Sequence, residues 1–257
     1  MEPTENRELL DLKAIVTGSG GRMGGAIALA LARRGADVAL NDRLPERTLA
    51  CDQEVRRLGL DCFSVTANVT RREGAAQLVD AALERWGRVD ILINTVGGIK
   101  GPIANPLWEM SEEEWEITVG LNLRGTFHCT QLVLPTMMAQ RFGKIVNIAS
   151  TSWAGDPMHT HYAVAKAGVV AFTRSAAVQL GPYNINVNCI APGATATERV
   201  GHQTEQVVTD DLSSTAPLGR INSPEDIGEA AAYLVSEGAR NISGQVLTVA
   251  GGINPAM

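Results

Sequence analysis

The 257-residue sequence has no excess of positive charge: 22 Lys and Arg against 28 Asp and Glu leave a formal charge of −6. Such a chain gains no electrostatic help in meeting a phosphate backbone or an anionic headgroup, so neither nucleic acid nor membrane is an expected partner. It has only four cysteines, Cys51, Cys62, Cys129 and Cys189, and no two stand at CxxC spacing. That pattern reads as passenger thiols of a reducing compartment, and no metal site is expected. The opening MEPTENRELLDL has neither the basic stretch nor the apolar core of a secretion signal. No apolar run reaches the length of a membrane span. A cytoplasmic location follows as an expectation. Internal repeats, low-complexity runs and an interdomain linker are also missing, so residues 1–257 are expected to form one domain.

What the sequence does have is apolar content and alternation. Hydrophobic residues make up 45% of the chain, enough to bury a sizeable core. Strand-length apolar runs cover residues 13–17 (KAIVT), 37–41 (DVALN), 62–67, 89–94 (VDILIN), 144–150 (KIVNIAS), 185–190 (INVNCI) and 245–249 (QVLTV). Helix-length amphipathic stretches cover residues 23–34, 45–58, 71–86, 112–138, 162–180 and 224–236. Gly35 is placed to end the first of these, Pro45 sits in the first turn of the second, and Pro135 is expected to kink or end the fourth. Strands alternating with helices through short connections imply an α/β fold. Its sheet is parallel, of about seven strands, doubly wound, with helices on both faces. The polar, weakly periodic residues 195–215 lie beyond a strand end, where ligands of such sheets bind, and are expected to form a lid.

The first strand runs into Thr17-Gly18-Ser19-Gly20-Gly21-Arg22-Met23-Gly24. Glycines at Gly18, Gly20 and Gly24 let backbone approach a pyrophosphate, and the helix behind offers free N–H groups and a positive dipole end. The bland alternative is a tight turn. The spacing is not GxGxxG, because Met23 stands where the third glycine would be; it is closer to TGxxxGxG with Arg22 replacing the middle glycine. Arg22 either meets a phosphate or points to solvent. At the end of the second strand, Asp42 can accept from both hydroxyls of an adenine ribose and would repel a 2′-phosphate, which favours NAD over NADP. Against that stand a turn-forming role for Asp42, and the cations Arg22 and Arg43, which suit a 2′-phosphate.

Tyr162 and Lys166 lie at i and i+4 near the start of a helix and so share a face. A free tyrosine has a pKa of about 10; a lysine cation beside it favours the phenolate, so that Tyr162 can give or take a hydroxyl proton. A Tyr–Lys pair on an exposed helix would look the same. Ser150, at the end of residues 144–150, can bring its hydroxyl to the same substrate oxygen, with Ser152 as a rival two positions on. Asn122, mid-helix and close to Gly125, breaks local helix preference, as functional positions often do. It can hold a water that extends a proton path from Lys166, or mark a kink with a solvated amide.

Together these residues resemble the short-chain dehydrogenase/reductase family, in its branch of about 250 residues with a YxxxK helix. The likeness spans residues 12–253. Asn94-Thr95-Val96-Gly97 resembles the family's NNAG, and Pro192-Gly193-Ala194-Thr195-Ala196-Thr197 its PGxxxT. Gly219-Arg220, Pro224-Glu225-Asp226-Ile227, Gly244-Gln245 and Gly251-Gly252 resemble its C-terminal signature. The resemblance implies a tetrad of Asn122, Ser150, Tyr162 and Lys166, a Rossmann-type fold, and a homotetramer. It also implies cofactor contacts from Gly18, Gly20, Arg22, Met23, Gly24, Asp42 and Arg43; from Asn68 and Val69 near the adenine; from Asn94, Val96 and Gly97; from Tyr162 and Lys166; and from Pro192, Gly193, Thr195 and Thr197. Departures are Arg22, Thr95, Val96, Asn68 in place of an Asp (with an amide oxygen that could still accept), and a Ser-to-Tyr interval one residue short.

The implied activity is NAD(P)-dependent hydride transfer to or from a secondary alcohol or carbonyl on a small molecule. Ring cis-diol dehydrogenase and 3-oxoacyl reductase specificities are alternatives, as is a catalytically silent dinucleotide-binding regulator, since fold alone does not set function. An enoyl reductase would space Tyr and Lys more widely. Substrate contacts are expected from Gly98, Ile99, Trp153, Met158, and one of His159 and His161.

Overall fold

A computed structural model describes residues 7–102, 105–196 and 216–253. Seven strands run through it: β1 Lys13–Val16, β2 Asp37–Asp42, β3 Cys62–Thr66, β4 Ile91–Asn94, β5 Gly143–Ile148, β6 Ile185–Pro192 and β7 Val246–Val249. Every pairing is parallel, in the order β3-β2-β1-β4-β5-β6-β7. The described helices are α1 Arg22–Arg33, α2 Leu49–Arg57, α3 Arg72–Trp86, α4 Glu112–Gln140, α5 Thr160–Leu180 and α6 Pro224–Val235.

The side-chain alternation of the strands divides the core. Ala14, Val16, Ile91 and Ile93 face one side and pack with Ile27 and Leu31 of α1 and with Ile227 and Ala231 of α6. Ile15, Leu92 and Ile145 face the other and meet Leu78 of α3, Val133 and Met137 of α4, and Ala177 of α5. A parallel sheet covered on both faces needs this two-sided apolar content, which is why its strands read as continuous hydrophobic runs.

Several expected boundaries move. Pro135 neither ends nor breaks α4: the helix continues five residues to Gln140 and stops at Arg141, in left-handed backbone with φ 52°. Val133 and Met137 on either side of Pro135 are fully buried, and their packing outweighs one missing backbone donor. Residues 45–48 form a 3-10 turn, so α2 begins only at Leu49. β5 ends at Ile148, leaving Ser150 beyond the strand as the cap of a 3-10 turn over Thr151–Ala154. The N-termini of α4 and α6 are closed by capping boxes, Ser111 with Glu114 and Ser223 with Asp226. The expected lid lies outside the described residues, apart from its first two.

Candidate active site

The carboxyl ends of six strands open on one cavity of about 860 Å³. Gly18 of the turn after β1, Asp42 of β2, Asn68 and Val69 after β3, and Val96 and Gly97 after β4 all line it. So do Ser150 after β5, Tyr162 and Lys166 of α5, and Pro192, Gly193 and Thr195 at β6. Thr197 lies outside the described residues.

The turn after β1 is tied down from both neighbouring strands. Ser19 exchanges bonds with Asn41: Asn41 N–H donates to Ser19 Oγ at 2.9 Å and Ser19 N–H to the Asn41 carbonyl at 2.9 Å. Thr95, in the position of the family's second Asn, donates its hydroxyl to the Thr17 carbonyl and its N–H to Thr17 Oγ1 at 3.0 Å. The turn delivers the N-terminus of α1, which carries no capping side chain and no acidic residue in its first turn. Arg22, Met23 and Gly24 of that first turn line the cavity, with the Arg22 side chain exposed. Uncapped N–H groups, a positive helix end and an arginine fit a pyrophosphate.

Asp42 is buried, and its two oxygens have different surroundings. Oδ1 accepts from Leu44 N–H at 3.2 Å and shapes the turn. Oδ2 lies against Gly20, where a Cβ would stand 2.5 Å from it and 2.5 Å from Arg47 Cβ. Gly20 therefore does not line the cavity as expected; it makes room for the carboxylate that does. Arg43 and Arg47 line the same end, and Arg47 went unnoticed in the sequence. It sits in the 3-10 turn five residues past Asp42, where nothing local marks it. The Asn68 amide oxygen is not free to accept, because it takes bonds from Thr70 N–H at 3.1 Å and Thr70 Oγ1 at 2.8 Å.

Lys166 is buried with its Nζ donating to the Ile148 carbonyl at 2.8 Å and 5.5 Å from the centre of the Tyr162 ring. Burial disfavours the ammonium and pushes its pKa down to about 8, against a small opposing influence from Cys189. Gly97 fits between Asn122 and Lys166: a Cβ there would be 2.5 Å from Asn122 Oδ1 and 3.0 Å from Lys166 Nζ. Asn122 does not line the cavity. Its side chain is buried and bonded to backbone, so the solvated kink does not describe it. Nδ2 donates to the Gly98 carbonyl at 2.7 Å and the Thr118 carbonyl at 2.8 Å, while Oδ1 accepts from Gly98 N–H at 3.0 Å. Asn94 likewise faces away, donating to Asn147 Oδ1 at 2.9 Å and Thr130 Oγ1 at 3.2 Å inside the core. It braces the sheet beneath the cavity and does not line it.

The two serines separate. Ser150 Oγ accepts from Ser152 N–H at 3.2 Å and lies on the cavity wall. Ser152 Oγ donates to Asp156 Oδ2 at 2.9 Å and is not on that wall. Asp156 also accepts from Met158 and His159 N–H at 2.9 and 3.1 Å, curling residues 152–159 on themselves. Part of the expected substrate set lies off the cavity wall. Trp153 packs against the buried cluster of Ala149, Val169, Val170, Cys189 and Ala191, His159 leans on Asp156, and His161 is buried with Nε2 3.4 Å from the Lys100 carbonyl. None of these, nor Met158, lines the cavity; Gly98 and Ile99 do, with Lys100 beside them.

Among known proteins, the family model described as enoyl-(acyl carrier protein) reductase matches residues 20–254. A (2S)-((R)-hydroxy(phenyl)methyl)succinyl-CoA dehydrogenase subunit of Thauera aromatica is 37% identical over 242 residues, covering 93% of this chain and 95% of that protein. A 3-oxoacyl-(acyl-carrier-protein) reductase of Staphylococcus epidermidis is 34% identical over 246 residues, 95% of this chain and 99% of that one. The structure of a 7 alpha-hydroxysteroid dehydrogenase complexed with NADH and 7-oxo glycochenodeoxycholic acid superposes with a TM-score of 0.91 at 33% identity, covering 99% of both chains.

Proposed function

Since this chain belongs to the short-chain dehydrogenase/reductase family, we propose that Tyr162 is the proton donor and acceptor of its hydride-transfer reaction. The protein is an oxidoreductase acting between a secondary alcohol and a carbonyl with a nicotinamide dinucleotide. The observation that carries the residue assignment is the juxtaposition of Tyr162, Lys166 and Ser150 on one cavity wall. The nicotinamide supplies the hydride acceptor or donor. Tyr162 takes the hydroxyl proton during oxidation and returns it during reduction. The Lys166 ammonium, fixed through Ile148, favours the phenolate. Ser150 Oγ donates to the substrate oxygen and holds it beside Tyr162. Asn122 acts at one remove, by clamping Gly98 and the backbone that borders Lys166.

We assign NAD over NADP on Asp42, whose Oδ2 is available for ribose hydroxyls. Residues 1–257 are taken as one domain. A homotetramer is consistent with the half-exposed apolar side chains Phe127 on α4 and Val164 on α5, with Val178 of α5 at 80% exposure. A cytoplasmic location agrees with four unpaired cysteines, and no described helix is long and apolar enough to cross a membrane. Two of the relatives are named for thioester substrates, so a 3-hydroxyacyl or 3-oxoacyl thioester is the first class to assay. Tyr162→Phe is the test of the chemistry: it is expected to bind NADH as the parent does and to lose at least about a thousandfold in turnover. Retained turnover overturns the assignment.

A further inference from the structure

We infer that Lys100 determines substrate specificity by receiving an anionic group, a carboxylate or a phosphate, carried by the substrate; this rests on the hydride-transfer reading above. Lys100 follows β4 in the run Gly98-Ile99-Lys100-Gly101, bounded by glycines at φ 144° and 106°. Such a segment would ordinarily be loose. Here its backbone is held by three side chains that are almost wholly buried. Thr118 Oγ1 lies 3.4 Å from both the N–H and the carbonyl of Lys100. His161 Nε2 lies 3.4 Å from the same carbonyl, and His161 Nδ1 has no partner, so this contact is the ring's one hydrogen bond among the described residues. Asn122 grips Gly98 at both its N–H and its carbonyl.

A fixed backbone thus presents a long, exposed cation to the cavity that Ser150 and Tyr162 also line. Its ammonium forms no ion pair with a described residue. Of the carboxylates on the cavity wall, Asp42 belongs to β2 at the nucleotide end, and Glu116 on α4 forms no ion pair with Lys100. Arg22, Arg43 and Arg47 gather near Asp42, along the turns after β1 and β2. Among the described residues the remaining cations on that wall are Arg124 of α4 and the buried Lys166; Lys100 is the one that follows directly on Gly98 and Ile99 and whose backbone Thr118 and His161 hold. A cation on a concave wall attracts and orients an anion more strongly than one on open surface.

The experiment reads binding in the Tyr162→Phe background with NADH present, so that no turnover intervenes. The probes are acetoacetyl-CoA against neutral S-acetoacetyl-N-acetylcysteamine, and acetoacetate against ethyl acetoacetate. Adding Lys100→Met is expected to weaken an anionic probe roughly five- to twentyfold and its neutral counterpart by less than about twofold. Lys100→Arg is expected to recover most of the loss, and 0.5 M salt to shrink it, as about 3 Å of screening length at 1 M implies. The CoA pair reports a phosphate and the acetoacetate pair a carboxylate. Equal loss for charged and neutral probes, no loss, no binding of either anion by the Lys100 parent, or a fall in NADH affinity each overturns the inference. Selective anion binding by a wild-type protein that oxidises NADH with none of the four probes would instead overturn the hydride-transfer reading and leave Lys100 an anion receptor.

Discussion

The Lys166 ammonium donates to the carbonyl of Ile148 at 2.8 Å, and the cation is held where burial opposes it. The consequence for stability has a definite sign. The pKa is lowered to about 8 in the folded protein from an ordinary 10.5. Unfolding therefore takes up protons between those values, and the stability Lys166 contributes is gained as pH rises from about 8 to 10.5 and lost as pH falls through about 8. Lys166→Met is expected to abolish turnover yet to stabilise the protein at pH 7, by at most about 3 kcal/mol less roughly 1 kcal/mol for the lost bond to Ile148. The advantage is expected to fade toward pH 10. Thermal unfolding of both proteins between pH 6.5 and 10 checks this; a variant less stable at pH 7 than at pH 10, relative to the parent, contradicts it.

Ser150 and Ser152 give a matched pair. Ser150→Ala removes the hydroxyl on the cavity wall and is expected to lower kcat/KM roughly a hundredfold, the scale for losing one hydrogen-bond donor to a reacting oxygen. Ser152→Ala loses a bond to Asp156 in a surface loop and is expected to stay within a few-fold. Reversed magnitudes in steady-state assays would transfer the role to Ser152.

Asn122→Ala leaves the N–H and carbonyl of Gly98 without their partner. Each such group costs about 1–3 kcal/mol when it stays dry. A lowered Tm and weaker NADH binding are expected together with lost turnover, because Gly98 and Gly97 belong to the cavity wall. Asn122→Asp keeps the acceptor for Gly98 N–H but not the donors, and is expected to fall between. If either variant lost turnover with unchanged Tm and NADH affinity, Asn122 would be acting on the proton path directly.

How far the sequence was legible follows from the range of each interaction. The alternation of strands and helices, the turn after β1 and the Tyr162–Lys166 pair are local patterns, and local patterns survive in sequence. Pro135 does not end the helix because the packing of Val133 and Met137 decides its length, and packing is non-local. Trp153, His159 and His161 lie between Ser150 and Tyr162, which placed them near the chemistry. The Asp156 turn, which folds two of them back, depends on a carboxylate accepting three bonds at once, and no spacing rule announces it. Lys100 escaped notice for a related reason: Thr118 and His161, which fix its backbone, are 18 and 61 positions away.

The preference between cofactors turns on the space behind Asp42. Its Oδ1 is committed to Leu44 N–H, so a ribose depends on Oδ2, and Oδ2 has its place because Gly20 lacks a side chain. Gly20→Ala would set a methyl 2.5 Å from both Oδ2 and Arg47 Cβ, displacing the carboxylate without changing its charge. Asp42→Asn changes the charge and keeps the volume. Both are expected to weaken NADH binding about tenfold. Only Asp42→Asn is also expected to tighten NADPH, because it removes the negative charge facing a 2′-phosphate and leaves Arg22, Arg43 and Arg47 on that wall. Fluorescence titration of each variant with NADH and NADPH separates the two causes. An unchanged NADH to NADPH ratio in Asp42→Asn would mean that the arginines, not the carboxylate, decide which cofactor binds.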